Sequence, residues 1–318
     1  MFKIARIVAG ILFAGSVMAL IGPLIGEVIA TLPPIFSKQG INPLGLLQLP
    51  YEVVEFPTSD SLTLRGWFIP SGASDSPAIV YAPGTGHDQT SGLHIVRALH
   101  EAGYHLLLFS YRGHGESDGN ELGFTYGEAE SVDLDAAVTF LSERKRIERI
   151  GVIGFSAGAS TAILSAARNS RIDAVVAAAP FASISEIWRT NSPSIMPGWY
   201  QDWTMRMAEL RKGFKRENVE PISVIHQISP RPILIVQGEA DRRVTVSQAE
   251  KLFASAGSPR ELWVVKDATH SMVHEQALVS LEPQIIAFLD NALQHTQTAA
   301  QIALAGQPAK NQRVIAVQ

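Results

Sequence analysis

Five consecutive residues carry the strongest chemical signal in the sequence: Gly154-Phe155-Ser156-Ala157-Gly158. They end an apolar run over 150–155 and open a small-residue stretch over 157–167. A serine on a tight strand-to-helix turn presents its hydroxyl above a sheet, and the turn closes only if its neighbours are small. A phosphate-binding loop would want a lysine or further glycines, which this stretch lacks. Ser156 is therefore read as a nucleophile. A serine hydroxyl is weak alone and needs a base within hydrogen-bond reach, itself oriented by a carboxylate. For a serine on such an elbow the expected chain order is serine, acid, histidine. Asp241 fits the second place, in Gly238-Glu239-Ala240-Asp241 just after an apolar run. His270 fits the third, in Asp267-Ala268-Thr269-His270. Glu239 and Asp267 are the rival acids, and His274 is the rival base.

Attack on an acyl carbonyl creates an oxyanion that needs aimed donors. The N–H of Ala157, next after the nucleophile, is one. The loop Pro83-Gly84-Thr85-Gly86 offers the other, from Thr85 or alternatively Gly86, unless it is only a tight turn. The remaining histidines are less persuasive. His114, within Tyr111-Arg112-Gly113-His114-Gly115-Glu116-Ser117, reads as a structural loop residue. His87 reads as lining a cleft, and His94, His100 and His226 as surface or packing residues. No metal-ligand spacing is present, and the chemistry calls for neither metal nor cofactor.

These residues need a scaffold that brings strand ends together. Strand-like segments at 51–56 and 62–69 form a hairpin-like start. Apolar runs at 78–82, 105–110, 150–155, 174–179, 233–237 and 262–265 then alternate with helical patterns at 90–101, 127–142, 157–168, 247–256 and 275–293. Alternation with runs apolar on both faces predicts an α/β fold: a mostly parallel sheet flanked by helices, after an antiparallel start. Carboxylate and imidazole loops at strand C-termini lie where such sheets place ligands.

The chain has 318 residues, 46% hydrophobic and 18% charged, with a formal net charge of −4. No basic excess exists to neutralise phosphates, which argues against nucleic-acid binding. The absence of cysteine removes disulfide scaffolds, cysteine nucleophiles and thiolate metal sites. After Lys3 and Arg6, no ionisable residue occurs from Ile7 to Gly26. Twenty helical residues span about 30 Å, the thickness of a bilayer core. Residues 1–30 are thus expected to be a membrane anchor, with the catalytic domain on the non-cytoplasmic side by the positive-inside tendency. A cleaved signal peptide, giving a secreted or periplasmic enzyme, and a buried core helix are the other readings. The Pro-rich stretch 31–50 reads as a linker, 51–294 as the catalytic domain and the Gln/Ala-rich 295–318 as a flexible tail.

Residues 183–229 interrupt the alternation and hold Trp188, Trp199 and Trp203. They read as a short helical cap. Met196, Trp199, Tyr200, Trp203, Met205 and Met207 give it an apolar, adaptable character, with Arg206, Arg211, Lys212, Lys215 and Arg216 close by. The cap either carries a solvated basic face or rests on a lipid surface.

Together the Ser156 elbow, the Arg112–Ser117 loop, Pro180-Phe181 after a strand and the Gly238–Asp241 stretch resemble the α/β-hydrolase superfamily. Within it the chain is similar to membrane-anchored serine hydrolases, including lysophospholipid lipases and protein depalmitoylases, and to serine aminopeptidase-like hydrolases. The likeness runs from about Tyr51 to Leu293. Many relatives begin the oxyanion loop with His-Gly, where this chain has Pro83-Gly84. The resemblance implies a serine hydrolase cleaving carboxylic esters or thioesters of lipids or small acyl compounds through an acyl-serine. A peptidase on the same triad and a catalytically inactive binding protein are the alternatives.

Overall fold

Five strands are buried at every residue, on both faces, so they must lie inside a sheet covered on both sides. They are β3 (Ala78–Ala82), β4 (His105–Phe109), β5 (Ile150–Phe155), β6 (Ala174–Ala178) and β7 (Ile233–Gly238). The computed structural model describes residues 6–11, 13–17, 21–22, 40–119, 123–144, 146–294 and 312–316. Among these, β1 (Glu52–Pro57), β2 (Thr63–Ile69), β8 (Arg260–Val265) and β9 (Gln312–Ala316) complete one sheet in the order β1-β2-β4-β3-β5-β6-β7-β8-β9. The block from β4 to β8 is parallel. The hairpin β1–β2 joins it antiparallel through β4, and β9 pairs antiparallel with β8.

Alternate strand residues feed two cores, one on each face of the sheet. On one face α1 (Leu93–Glu101) and α7 (Glu282–Leu293) bury Leu93, Val96, Leu99, Ile285 and Leu289 against Ile79 and Tyr81. The spacing of three and four along α1 gives it a single apolar stripe. On the other face lie α2 (Glu128–Ser142), α3 (Ala157–Arg168) and α6 (Val246–Ser255), which pack on Val80, Val152 and Val175. Every residue of α3 from Ala157 to Ala166 is buried, which explains its small side chains.

The expected strands and helices are present with boundaries shifted by a residue or two, and the differences have physical causes. Within the expected linker, Pro43–Leu47 forms one helical turn: Asn42 accepts from Gly45 N (2.8 Å) and Pro43 stands at its start. Flanking Ile41, Leu47, Leu49 and Tyr51 pack on the α1/α7 core, so 40–50 is part of the body. The helix expected over 275–293 is divided into a π turn, Val273–Ala277, a short turn at Leu278–Ser280, and α7, which starts where Pro283 fits a first turn. The expected flexible tail contributes β9, which pairs the otherwise open edge of β8; residues 295–311 lie outside the described residues. At the N-terminus residues 6–11, 13–17 and 21–22 are helical. Among the described residues no helix is long and apolar enough to cross a membrane. The rest of the expected span, including 23–30, lies outside the described residues.

Residues 183–229 contain α4 (Ile184–Asn191) and α5 (Gly198–Lys212). The Ser183 hydroxyl caps α4 by accepting from Glu186 N at 3.0 Å. Trp188 Nε1 donates to Thr204 Oγ1 (3.2 Å) and ties the two helices together. Asn191 Nδ2 donates to Arg243 O (3.2 Å), which ties the cap to the loop that carries Asp241.

Candidate active site

The turn at Ser156 is fixed by backbone contacts. Ser156 has φ 53° and ψ −122°, a conformation that costs a non-glycine residue about 1–3 kcal/mol and persists only where surroundings impose it. Ser156 N donates to Ala178 O of β6 (2.8 Å), while Ser156 O accepts from Ala159 N and Ser160 N at the start of α3. A methyl group at Gly154 would stand 2.5 Å from Gly158 O, and one at Gly158 would stand 2.2 Å from Ala82 O. Both glycines are demanded by backbone against backbone, which fixes where the Ser156 Cβ stands.

Two loops bring partners to that hydroxyl. β7 ends at Gly238, and a methyl there would stand 2.3 Å from Ala268 O. This close approach packs the acid-bearing loop against the histidine-bearing loop. Asp241 Oδ1 accepts from Arg243 N (2.8 Å) and Val244 N (3.0 Å), and Oδ2 accepts from Gln237 Nε2 (3.3 Å). His270 Nδ1 donates to Asp241 Oδ2 at 2.6 Å. Burial pushes the Asp241 pKa up, but the His270 imidazole and the Val244 and Arg243 N–H groups outweigh it and hold it below the usual carboxylate value. An ionised carboxylate only accepts, so it fixes the proton on Nδ1. Nε2 is then free to accept from Ser156 Oγ, which lies 3.0 Å away.

The structure thus brings Ser156, Asp241 and His270 into one hydrogen-bonded relay. It does not bring in the rivals. Glu239 and Asp267 are exposed and meet each other through Asp267 N and Glu239 Oε2 at 3.3 Å. His274 Nε2 hydrogen-bonds the Tyr81 hydroxyl instead (2.8 Å), and burial first, then the neighbouring imidazoles, push its pKa down to about 3.

The Pro83–Gly86 loop runs beside the elbow. A methyl on Gly84 would lie 3.5 Å from Ser156 Cβ, and His87 N closes a turn onto Gly84 O (3.1 Å), with Gly86 at φ +71°. His87 Nδ1 donates to Thr85 O at 2.9 Å, which steadies the turn. Among the described residues, Thr85 N–H and Ala157 N–H have no acceptor.

Several other residues take places that their sequence context did not indicate. Gln237 is wholly buried at the end of β7 and also donates to Val244 O (2.8 Å), so it braces the Asp241 loop. A glutamine inside an otherwise apolar buried strand was its available signal. Phe155 fills the space between His270 and His274, at 5.1 and 4.5 Å between ring centres. His94, expected at the surface or in packing, stacks edge-on with His274 at 4.3 Å and lines a cleft of about 520 Å³ with His87, Gly86 and His274. His114 is buried, with Nδ1 donating to Arg112 O (3.0 Å), as a structural loop residue would be. That loop is held by Arg112, whose guanidinium bridges the fully buried Asp133 (2.7 Å) and Asp60 (2.7 Å).

Two of the cap's basic residues leave its solvated face, while Arg206 and Lys215 remain exposed. Lys212 is buried, its Nζ donating to Phe124 O (2.7 Å) over the Tyr126 ring, and Arg216 forks onto Glu209 at 2.9 and 3.1 Å. Met205 is buried as well, whereas Ile195 and Trp199 are 91% and 72% exposed.

Comparison with known proteins agrees with this architecture. The prolyl oligopeptidase family matches residues 90–296, from before α1 to the end of α7. The uncharacterized protein YqkD of Bacillus subtilis is 26% identical over 251 residues, 76% of this chain and 80% of the relative. An esterase of Pyrococcus furiosus superposes with a TM-score of 0.69 at 25% identity, covering 83% of this chain and 98% of its own. The α/β-hydrolase GrgF of Penicillium superposes with a TM-score of 0.62 at 26% identity, covering 77% of this chain and all 100% of its own. The chain is an α/β-hydrolase and belongs to the prolyl oligopeptidase family.

Proposed function

We propose that this hydrolase cleaves carboxylic ester or thioester bonds of acyl substrates through an acyl-serine intermediate. The observation that carries the reading is the relay from Asp241 Oδ2 to His270 Nδ1 (2.6 Å) and from His270 Nε2 to Ser156 Oγ (3.0 Å). Ser156 Oγ attacks the acyl carbonyl as His270 Nε2 takes its proton, and Asp241 stabilises the imidazolium. The carbonyl oxygen becomes an oxyanion held by the N–H groups of Thr85 and Ala157. Collapse breaks the bond to the leaving alcohol or thiol, which takes the proton back from His270. Water activated by the same imidazole then frees the acid and restores Ser156.

The esterase from Pyrococcus furiosus, matched over 98% of its length, supports ester over amide substrates. The family match supports a second reading, a peptidase using the same relay. Hydrolysis of p-nitrophenyl esters of graded chain length, set against amino-acid p-nitroanilides, separates the two. The esterase reading expects ester turnover that falls about ten-thousand-fold or more in Ser156→Ala with the fold retained. Anilide cleavage without ester cleavage would transfer the assignment to peptidase. The uncharged run from Ile7 to Gly26 supports a membrane-anchored form with the catalytic domain on the non-cytoplasmic side. Retention in the membrane after alkaline extraction, with the domain open to external protease in spheroplasts, is the expected result.

A further inference from the structure

The cleft that holds His87, His94 and His274 has no relay residue in its lining, but it is built from the loop next to Ser156 and from the turn after His270. One wall is Gly86 and His87, from the loop against Ser156. Another is His274 and Glu275, on the π turn that follows His270 almost directly. A π turn widens the helix locally and is frequent at functional sites. Ile41 and Leu46, around the short helix Pro43–Leu47, face them. At about 520 Å³ the cleft falls within the range of small-molecule sites.

Resting on the esterase reading above, we propose that this cleft is the leaving-group subsite, and that it selects a cationic or uncharged alcohol over an anionic, phosphate-bearing one. The direction follows from the chemistry. The scissile C–O bond breaks toward the group that supplies its proton, so the alcohol departs on the His270 side of Ser156. Phe155 lies between His270 and His274 on that side. The charge follows from the lining. Glu275 is exposed at the cleft, and the buried Asp88 carboxylate adds a second negative charge behind it. Among the described residues that line the cleft, none is lysine or arginine. Burial holds His94 and His274 below the usual imidazole pKa, so at neutral pH neither supplies a compensating cation. The imidazoles of His94 and His274 beside Leu93 and Leu46 make a surface for a methylated ammonium or a polyol, whereas a phosphate would face the Glu275 and Asp88 carboxylates, with the nearest guanidinium, Arg97, turned away onto Leu47 O at 3.2 Å.

The test holds the acyl group constant. The full-length protein is given butyrylcholine, 1-butyrylglycerol and 1-butyrylglycerol 3-phosphate, and each kcat/KM is divided by that ester's alkaline hydrolysis rate. The cationic ester should exceed the anionic one by about tenfold or more, with the neutral ester between them. Glu275→Lys should lower the cationic-to-anionic ratio by about tenfold or more. A ratio taken within one preparation does not depend on the folded fraction, so partial misfolding cannot mimic the result. Esters turned over with a ratio near one in the wild type, or a ratio that Glu275→Lys leaves unmoved, would overturn the subsite. Failure to turn over any of the three esters, with Ser156→Ala indistinguishable from wild type, would instead overturn the esterase reading beneath it.

Discussion

A methyl group added at Gly158 would stand 2.2 Å from the Ala82 carbonyl oxygen, whereas one added at Gly198 in the cap would meet nothing within 4 Å. The elbow is defined by main chain pressed against main chain, and the cap by a few side-chain hydrogen bonds around exposed apolar residues. The Ser156 Cα–Cβ bond is therefore held in one direction, while the cap around the exposed Ile195 and Trp199 can change in sequence at little cost to the fold. The nucleophile is placed on the part held by backbone against backbone.

The sharpest way to break this contrast is Gly158→Ala. Because both facing atoms are backbone carbonyl oxygens of the Ala82–Pro83 segment, relief requires moving β3 or α3. A loss of more than about 3 kcal/mol in a urea titration is expected, together with loss of ester turnover; near wild-type stability would show the elbow to be soft. Next in size is Arg112→Met, which would strand the wholly buried Asp133 carboxylate. A cost of about 3–5 kcal/mol is expected, and Arg112→Met with Asp133→Leu should recover most of it. If the double variant were as unstable as the single, the loop would depend on more than the pair.

A smaller effect concerns His274, which meets Tyr81, His87 and His94 and lies beyond Phe155 from His270, with Glu275 adjacent. Its folded pKa of about 3 lies below the ordinary value of 6.5. The unfolded chain therefore binds the proton first as pH falls. The stability held by neutral His274 is complete above pH 6.5 and is lost progressively toward pH 3. The loss approaches about 1.4 kcal/mol per pH unit. His274→Asn should flatten the dependence of the urea midpoint on pH between 6 and 4, and an unchanged slope would contradict the buried neutral imidazole. The smallest effect belongs to Trp199→Ser. With 72% of the residue exposed, stability should shift by no more than about 0.5 kcal/mol, and a larger loss would mean the cap is as constrained as the elbow.

The same contrast governs what the sequence reveals. Gly154, Ser156 and Gly158 are legible because a backbone requirement selects residue type at fixed spacing. Asp241 and His270 are legible because each follows an apolar strand of the sheet by a few residues. Gln237 and Phe155 are harder to find, since a braced acid and a ring between two imidazoles depend on contacts between separate strands. His94 and His274 sit on helical segments, where nothing local tells a cleft from a surface. The strand at 312–316 is hidden because its pairing with β8 is set by an open edge far away in sequence. Lys212 and Arg216 read as a basic face because composition does not report that Phe124 O and Glu209 receive them.

The central claim is that Ser156 is activated by His270 and Asp241. Labelling with a fluorophosphonate, followed by peptide mass analysis, tests it most directly. One adduct per chain on the peptide containing Ser156 is predicted, falling by about a thousandfold or more in rate in His270→Ala. An adduct on another residue, or labelling of Ser156 at the same rate without His270, would contradict the account.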